Sequence, residues 1–233
     1  QAMSQSEQNA LLLSAAEKNM QGRKGDSTAA PLLIVAPETF TPDIVTNNIP
    51  ASRSLQTFVS FLQEYPNANL LFGASSHTYI QSADAPSHTA RKAGNGIWSE
   101  SHNSALMTDG TGRCEIFHKN KLVVAVEKTP YPAIFCPIDD MLGGVMGRCI
   151  GQDGIDLLHV QSENHSPIPV GCAICYESVY GEYYTDYIRK GAEAMAIITN
   201  DAWWGDTPGY RQHLSYASLR AIETRRAIAR CAN

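Results

Sequence analysis

Three residues of this chain carry groups that together could do nucleophilic chemistry: a thiol at Cys175, a carboxylate at Glu38 and an ammonium at Lys119. A thiol attacks as its thiolate, so it needs a base and positive charge close by. Cys175 stands in Gly171-Cys-Ala-Ile-Cys-Tyr-Glu177, which reads as a strand running into a turn. That would present the sulfur at the end of a sheet, with the following amide aimed at a developing oxyanion. Glu38 is the candidate base and Lys119 the candidate oxyanion stabiliser. Each has a plainer reading by itself: a core cysteine, a solvated loop acid, and a solvated hairpin end beside Lys121. The Cys172-x-x-Cys175 spacing also invites a redox or zinc reading. Residues three apart on a strand point to opposite faces, however, and no second CxxC or HxxxH pair supplies further ligands, so no metal is expected.

The elements that must position these groups follow from pattern. Ser4-Gln-Ser-Glu7 predicts a capping box opening a helix to about Met20. Pro31 to Ala36 is a short apolar run that predicts a buried strand with Glu38 just beyond its end. Leu55, Phe58, Val59 and Leu62 have the spacing of a helix stopped by Pro66. Leu70 to Ala74 predicts a strand. Ser104 to Thr108 and Arg113 to Lys119 flank Asp109-Gly-Thr-Gly112, a hairpin signal that leaves Lys119 at a strand end. Pro130 to Asp153, rich in Pro and Gly, reads as a long irregular loop. Strands are expected over 155–160, 170–174 and 194–199, with helices over 180–190, closed by Gly191, and 210–226. A last strand starts at Ala227. Strands and helices alternate, so the class is α/β. Glu38, Lys119 and Cys175 all fall where a strand yields to a loop, the usual place for an active site in such a fold.

The bulk composition narrows the choice. The 233 residues suit one domain, and a net charge of −5 without a Lys/Arg run argues against a nucleic-acid partner. No apolar stretch reaches the ~20 residues that span a bilayer, and the polar start, Gln1 to Asn9, has no signal-peptide core, so the chain as given reads as a soluble piece. Six cysteines are too sparse for a disulfide scaffold.

Taken together, Pro37-Glu38-Thr39, Phe117-His-Lys119-Asn-Lys-Leu-Val123, Cys175-Tyr-Glu177 and Asn200-Asp-Ala-Trp-Trp-Gly205 resemble the nitrilase (carbon–nitrogen hydrolase) superfamily, in order, from about Pro31 to the C-terminus. Within it, the sequence resembles the apolipoprotein N-acyltransferase branch. The marks are Asn200 to Gly205, then Gly209-Tyr-Arg-Gln212-His213-Leu, Arg220-Ala-Ile-Glu223, Arg230-Cys-Ala-Asn233 and Asn103-Ser-Ala-Leu. The resemblance implies a four-layer α-β-β-α sandwich and a Glu38–Lys119–Cys175 triad. Glu127, Tyr176, Glu177 and Asn103 would be supporting residues, and Trp203, Trp204 and His213 would contact substrate. It implies no cofactor. The activity it implies moves a phospholipid acyl chain through a cysteine thioester to the α-amine of an apolipoprotein. The whole protein would be embedded in the bacterial inner membrane with this domain on the periplasmic side. The chain would then be one domain, a fragment without the membrane region and both domain edges. Two departures stand out: Phe117 replaces a common Tyr, and Leu122-Val-Val-Ala-Val-Glu127 lacks the Pro and Gly that shape this loop in the family. A small-amide hydrolase with the same triad, and an inactive interaction domain of the same fold, stay open.

Overall fold

The computed structural model describes residues 3–124, 126–142, 144 and 146–233, the side chain of Trp203 excepted. Helix α1 (Gln5–Asn19) opens on the expected capping box: Ser4 Oγ accepts from the Glu7 amide at 3.3 Å, and Glu7 Oε2 accepts from the Ser4 amide at 2.7 Å. Strand β1 (Leu32–Val35) is followed by β2 (Thr41–Val45) and by α2 (Arg53–Leu62), which buries Leu55, Phe58 and Leu62. Next come β3 (Ala68–Gln81), β4 (Arg91–Gly94), β5 (Ile97–Asp109) and β6 (Cys114–His118). The second half comprises α3 (Pro132–Met141), β7 (Leu158–Val160), β8 (Ile168–Ile174), α4 (Gly181–Arg189), β9 (Ala194–Thr199), α5 (Gly209–Thr224) and β10 (Ala227–Ala232). Gly191, at φ +102°, turns the chain out of the α4 region as the sequence suggests.

The strands form two sheets. In the larger, β3 and β5 pair antiparallel from Asn69↔Asp109 to Gln81↔Ile97, β6 adds to the near half of β5, and β4 adds to its far end. The smaller has the order β10-β9-β8-β7, parallel except for β7. Alternation along β3 sorts the core. Leu70, Phe72 and Ala74 face α1 and α2 together with Leu106. Leu71 faces the other way and joins Ala105, Met107 and Phe117 against Leu158, Val160, Val170 and Ile174 of the smaller sheet. Tyr183, Tyr184 and Tyr187 of α4 close the outer face of that sheet. The layers are therefore helix, sheet, sheet, helix: the four-layer sandwich expected from the sequence.

Five elements differ from the sequence reading. β2 and β4 were not anticipated, and β3 and β5 run well past the apolar segments that announce them. The stretch read as irregular, 130–153, contains α3. Pro132 suits the first position of this helix, but Pro137 lies inside it, where local propensity opposes it. What holds it is tertiary: the buried Arg148 guanidinium binds Asp139 Oδ2 at 2.6 and 3.0 Å, Asp140 Oδ1 at 2.8 Å and the Cys136 carbonyl at 2.8 Å.

One packing detail fixes the first site residue. β1 and β2 lie end to end along the same edge of β3, at Leu32↔Ala68 and then Thr41↔Ala74, and the chain between them crosses over Gly73. A Cβ on Gly73 would sit 2.6 Å from Glu38 Cα, the Pro37 carbonyl oxygen and the Thr39 nitrogen, all backbone atoms. Gly73→Ala should therefore destabilise the fold by about 1–3 kcal/mol in urea denaturation and displace Glu38. A variant as stable as the parent would show that this crossing can move aside.

Candidate active site

Glu38 leaves β1 on a chain still anchored to β3, since the Gly73 amide donates to the Pro37 carbonyl at 3.0 Å. Thr39, at φ +49°, then makes the turn. The carboxylate is buried. Its Oε1 accepts from Asn103 Nδ2 at 2.7 Å and Lys119 Nζ at 3.2 Å, and its Oε2 accepts from the Asn200 amide at 3.0 Å.

Lys119 follows β6 directly, and its amide donates to the Asn103 carbonyl at 2.8 Å, extending the β5–β6 pairing. Its ammonium is 1% exposed and lies 2.9 Å from the Glu127 carboxylate as well as 3.2 Å from Glu38. Burial alone would lower the lysine pKa, but Glu38 and Glu127, helped by Cys175, more than offset this and hold it above its ordinary value. Asn103 Nδ2 donates 2.7 Å bonds to both Glu38 and Glu127, so one amide group bridges the two acids. Glu127 Oε2 also accepts from the Val123 amide at 2.8 Å. The loop that lacks the family's Pro and Gly thus still delivers its glutamate to the lysine.

Cys175 begins a short 3-10 turn, Cys175–Val179, at the end of β8, and its backbone is left-handed at φ +55°. Such a conformation costs a non-glycine residue about 1–2 kcal/mol. Glu177, two residues on, holds the turn. It is fully buried, and its carboxylate accepts from the amides of Ile174 (2.9 Å), Asn120 (2.7 Å) and Lys121 (3.0 Å) and from the Tyr183 hydroxyl (3.0 Å). Burial raises its pKa, and the backbone donors pull the other way. The Cys175 thiol is pushed up to about 11, first by burial and then by the neighbouring Glu38 charge, with Lys119 and the Thr199 hydroxyl opposing. A protonated thiol therefore faces a carboxylate and an ammonium at one point between the two sheets.

The profile described as carbon-nitrogen hydrolase matches residues 27–233. The chain belongs to the carbon–nitrogen hydrolase family. It is 28% identical over 204 residues, 86% of its length, to apolipoprotein N-acyltransferase of Chlorobaculum tepidum, and 31% identical over 232 residues, 96% of its length, to the enzyme of that name from Rhizobium leguminosarum bv. trifolii. These matches cover 38% and 37% of the two relatives, so the chain spans less than two-fifths of the length of these curated proteins. Among solved structures, a branch 10 member of the nitrilase superfamily from Saccharomyces cerevisiae superposes with a TM-score of 0.60 at 14% identity, over 99% of this chain and 71% of that one. An amidase from Nesterenkonia sp. superposes with 0.59 at 14% identity, over 100% and 72%. At that identity the likeness is one of fold.

Within this family fold the remaining expected residues are spread unevenly. Tyr176 is partly exposed, with its ring 6.3 Å from that of His213. Trp204 is partly exposed and packs on Gly209, where a Cβ would fall 2.2 Å from the indole. The side chain of Trp203 lies outside the described residues. His213 departs from its expected role in contacting substrate. It is 4% exposed, and its nitrogens are engaged by Asp201 Oδ1 at 3.1 Å and by the Cys175 carbonyl at 3.1 Å, which places it behind the Cys175 turn. Phe117, where the family commonly has Tyr, is fully buried and packs edge-on to Tyr187. Sequence reasoning did not single out Thr199, Ser178, Asp201, Arg220 or Arg230 for a role. Arg220 donates to the Ser178 and Val179 carbonyls at 2.9 and 2.8 Å, and Arg230 pairs with Asp201. Arg220 and Arg230 open two of the branch-specific segments, and Asp201 lies in a third. That was the available signal. Among the described residues, no helix is long and apolar enough to cross a membrane, and no cluster of three or more His, Cys, Asp or Glu could hold a metal ion.

The electrostatics predict a pH profile. Alkylation of Cys175 by iodoacetamide should rise with an apparent pKa near 11. Glu38→Gln should lower that midpoint by removing a negative neighbour, and Lys119→Ala should raise it. Peptide mapping of the labelled site against pH checks this, and equal midpoints in all three proteins would contradict the charge arrangement.

Proposed function

We propose that this chain is the catalytic domain of an apolipoprotein N-acyltransferase and that Glu38, Lys119 and Cys175 are its triad. The observation that carries the reading is the convergence of these three side chains within a chain 86–96% of which aligns with proteins of that name. The substrates follow from that reading: a phospholipid as acyl donor and an apolipoprotein as acceptor. The whole protein then works at the bacterial inner membrane, with this domain on the periplasmic side.

In this mechanism Glu38 takes the Cys175 proton as the sulfur attacks the ester carbonyl of a phospholipid acyl chain. An ammonium has three hydrogens. Two point at the carboxylates, and the third is available to the oxyanion. The Tyr176 amide supplies a second donor. The tetrahedral intermediate expels a lysophospholipid, which takes the proton from Glu38, and a thioester remains. The α-amine of the acceptor's lipid-modified N-terminal cysteine then attacks the thioester and loses its proton to Glu38. The amide forms, and the thiolate is released and reprotonated. No metal or organic cofactor enters these steps.

A lipid substrate is further supported by α3. Tyr131, Ile134, Ile138, Met141 and Leu142 are all exposed, as are Val124 and Val126 nearby, while the opposite face is fixed by Arg148. A run of apolar side chains facing outward at helical spacing fits contact with acyl chains or a membrane surface better than contact with a small polar amide.

The test is intact-mass and peptide mass spectrometry of the full protein after incubation with phospholipid. An acyl adduct on Cys175 is expected, absent in Cys175→Ala. Lys119→Ala should slow its appearance by about 10²–10³-fold, the usual loss when an oxyanion donor is removed. An adduct from a small amide with none from phospholipid would replace this reading with an amidase.

A further inference from the structure

The carbonyl oxygen of Cys175 is gripped by two side chains that the mechanism above leaves idle. Ser178 Oγ donates to it at 2.9 Å, and His213 Nε2 lies 3.1 Å from it. His213 reaches over from α5, and its other nitrogen, Nδ1, lies 3.1 Å from Asp201 Oδ1. Asp201 is itself tied down by Arg230 and, at 3.2 Å, by the Thr199 hydroxyl. The Cys175 carbonyl can only accept, so the 3.1 Å contact assigns a hydrogen to Nε2. Two side chains thus meet at a single backbone oxygen, and three more, Asp201, Thr199 and Arg230, stand behind the histidine.

We propose that His213 is a positioning residue for acyl transfer: by holding the Cys175 carbonyl it aims the Tyr176 N–H at the oxyanion. The inference rests on the acyl-transfer reading of Cys175. A trans peptide is planar, so its C=O and N–H point in opposite directions, and fixing one fixes the other. Tyr176 is the second residue of its turn, so its amide precedes the first intrahelical bond and has no acceptor within the turn. Cys175 holds a left-handed φ that a non-glycine residue relaxes from readily, so this peptide plane needs an external hold. Donation to the carbonyl also polarises the amide and strengthens its N–H as a donor. During acylation the Cys175 sulfur bonds to the ester carbon, the thiol proton passes to Glu38, and the carbonyl π pair moves onto oxygen. Lys119 and the Tyr176 amide share that charge until the C–O bond breaks and the leaving alkoxide takes the proton from Glu38.

Two reactions of the same thiol separate this role from a merely structural one. Acylation by p-nitrophenyl octanoate passes through an oxyanion, whereas alkylation by iodoacetamide does not. Glutamine places a donor near the position of His Nε2, and asparagine near that of Nδ1. In the full protein, His213→Asn should slow the nitrophenolate burst by about 10²-fold at nearly unchanged KM, with alkylation of Cys175 within about twofold of the parent. His213→Gln should recover most of the burst. Ser178→Ala, which removes the other donor to the carbonyl, should slow acylation less and leave alkylation alone. The proposal is overturned if acylation and alkylation fall together in His213→Asn, if Gln is as poor as Asn, or if Ser178→Ala acylates at the parental rate. A parent protein that alkylates at Cys175 but is never acylated overturns the acyl-transfer reading as well. An acylated parent with an insensitive His213→Asn overturns only the role of His213.

Discussion

The Lys119 ammonium sits where water scarcely reaches, and the rest of the site is arranged around that fact. Removing an ammonium from water costs several kcal/mol even after relaxation. One carboxylate at about 4 Å returns roughly 4 kcal/mol at an effective dielectric near 20, which makes a single pair marginal. Here two carboxylates converge, Glu38 from the end of β1 and Glu127 from the loop after β6, and Asn103 on β5 fixes their separation by donating to both. Three segments distant in sequence must meet for the lysine to be buried at all. The register of the larger sheet, the crossing over Gly73 and the path of the 120–127 loop are consequences of that meeting as much as causes of it.

Burial first, and the Glu38 charge second, explain the state of the thiol, with Lys119 only partly opposing them. With its pKa near 11, forming the thiolate at neutral pH without help would cost about 5 kcal/mol. A standing thiolate is therefore not what the site stores. In the proposed mechanism Glu38 takes the proton, and the negative charge moves from oxygen to sulfur while Lys119 remains its neighbour. The net charge of the cluster does not change, and little reorganisation is needed. Proton transfer coupled to attack is the chemistry that this charge count favours over a preformed nucleophile.

Much of this was legible in the sequence. The capping box at Ser4, the α2 spacing, the hairpin at Asp109 to Gly112, the strand over 194–199 and the one that starts at Ala227 are short-range or strongly apolar signals, and they appear where they should. The distal halves of β3 and β5 escaped notice because Ser75, Ser76, His77 and Thr78 oppose Glu100 to Asn103, so the segment is polar on both faces and shows no alternation. Helix α3 was hidden by its internal Pro137, since the grip of Arg148 that stabilises it is a tertiary contact and not a local preference. The placement of Glu38, Lys119 and Cys175 at strand ends could be read directly. The depth of Glu177 and the inward turn of His213 could not, because each depends on the packing of another element.

The nucleophile turn shows why those two hidden residues matter together. Cys175 is held in a conformation that it would leave if unsupported, and it is supported from both sides. Glu177 binds the Ile174 amide just before the cysteine and the Asn120 and Lys121 amides just after the lysine. One buried carboxylate therefore ties the Cys175 turn to the segment that carries Lys119, across the gap between the two sheets. His213 and Ser178 bind the other end of the same short segment, at the carbonyl of Cys175. Held at one end only, the turn could still rotate about the cysteine and lose the alignment of sulfur with amide. Held at both, the thiol, the lysine and the Tyr176 amide keep the one arrangement that the proposed acyl transfer asks of its oxyanion donors.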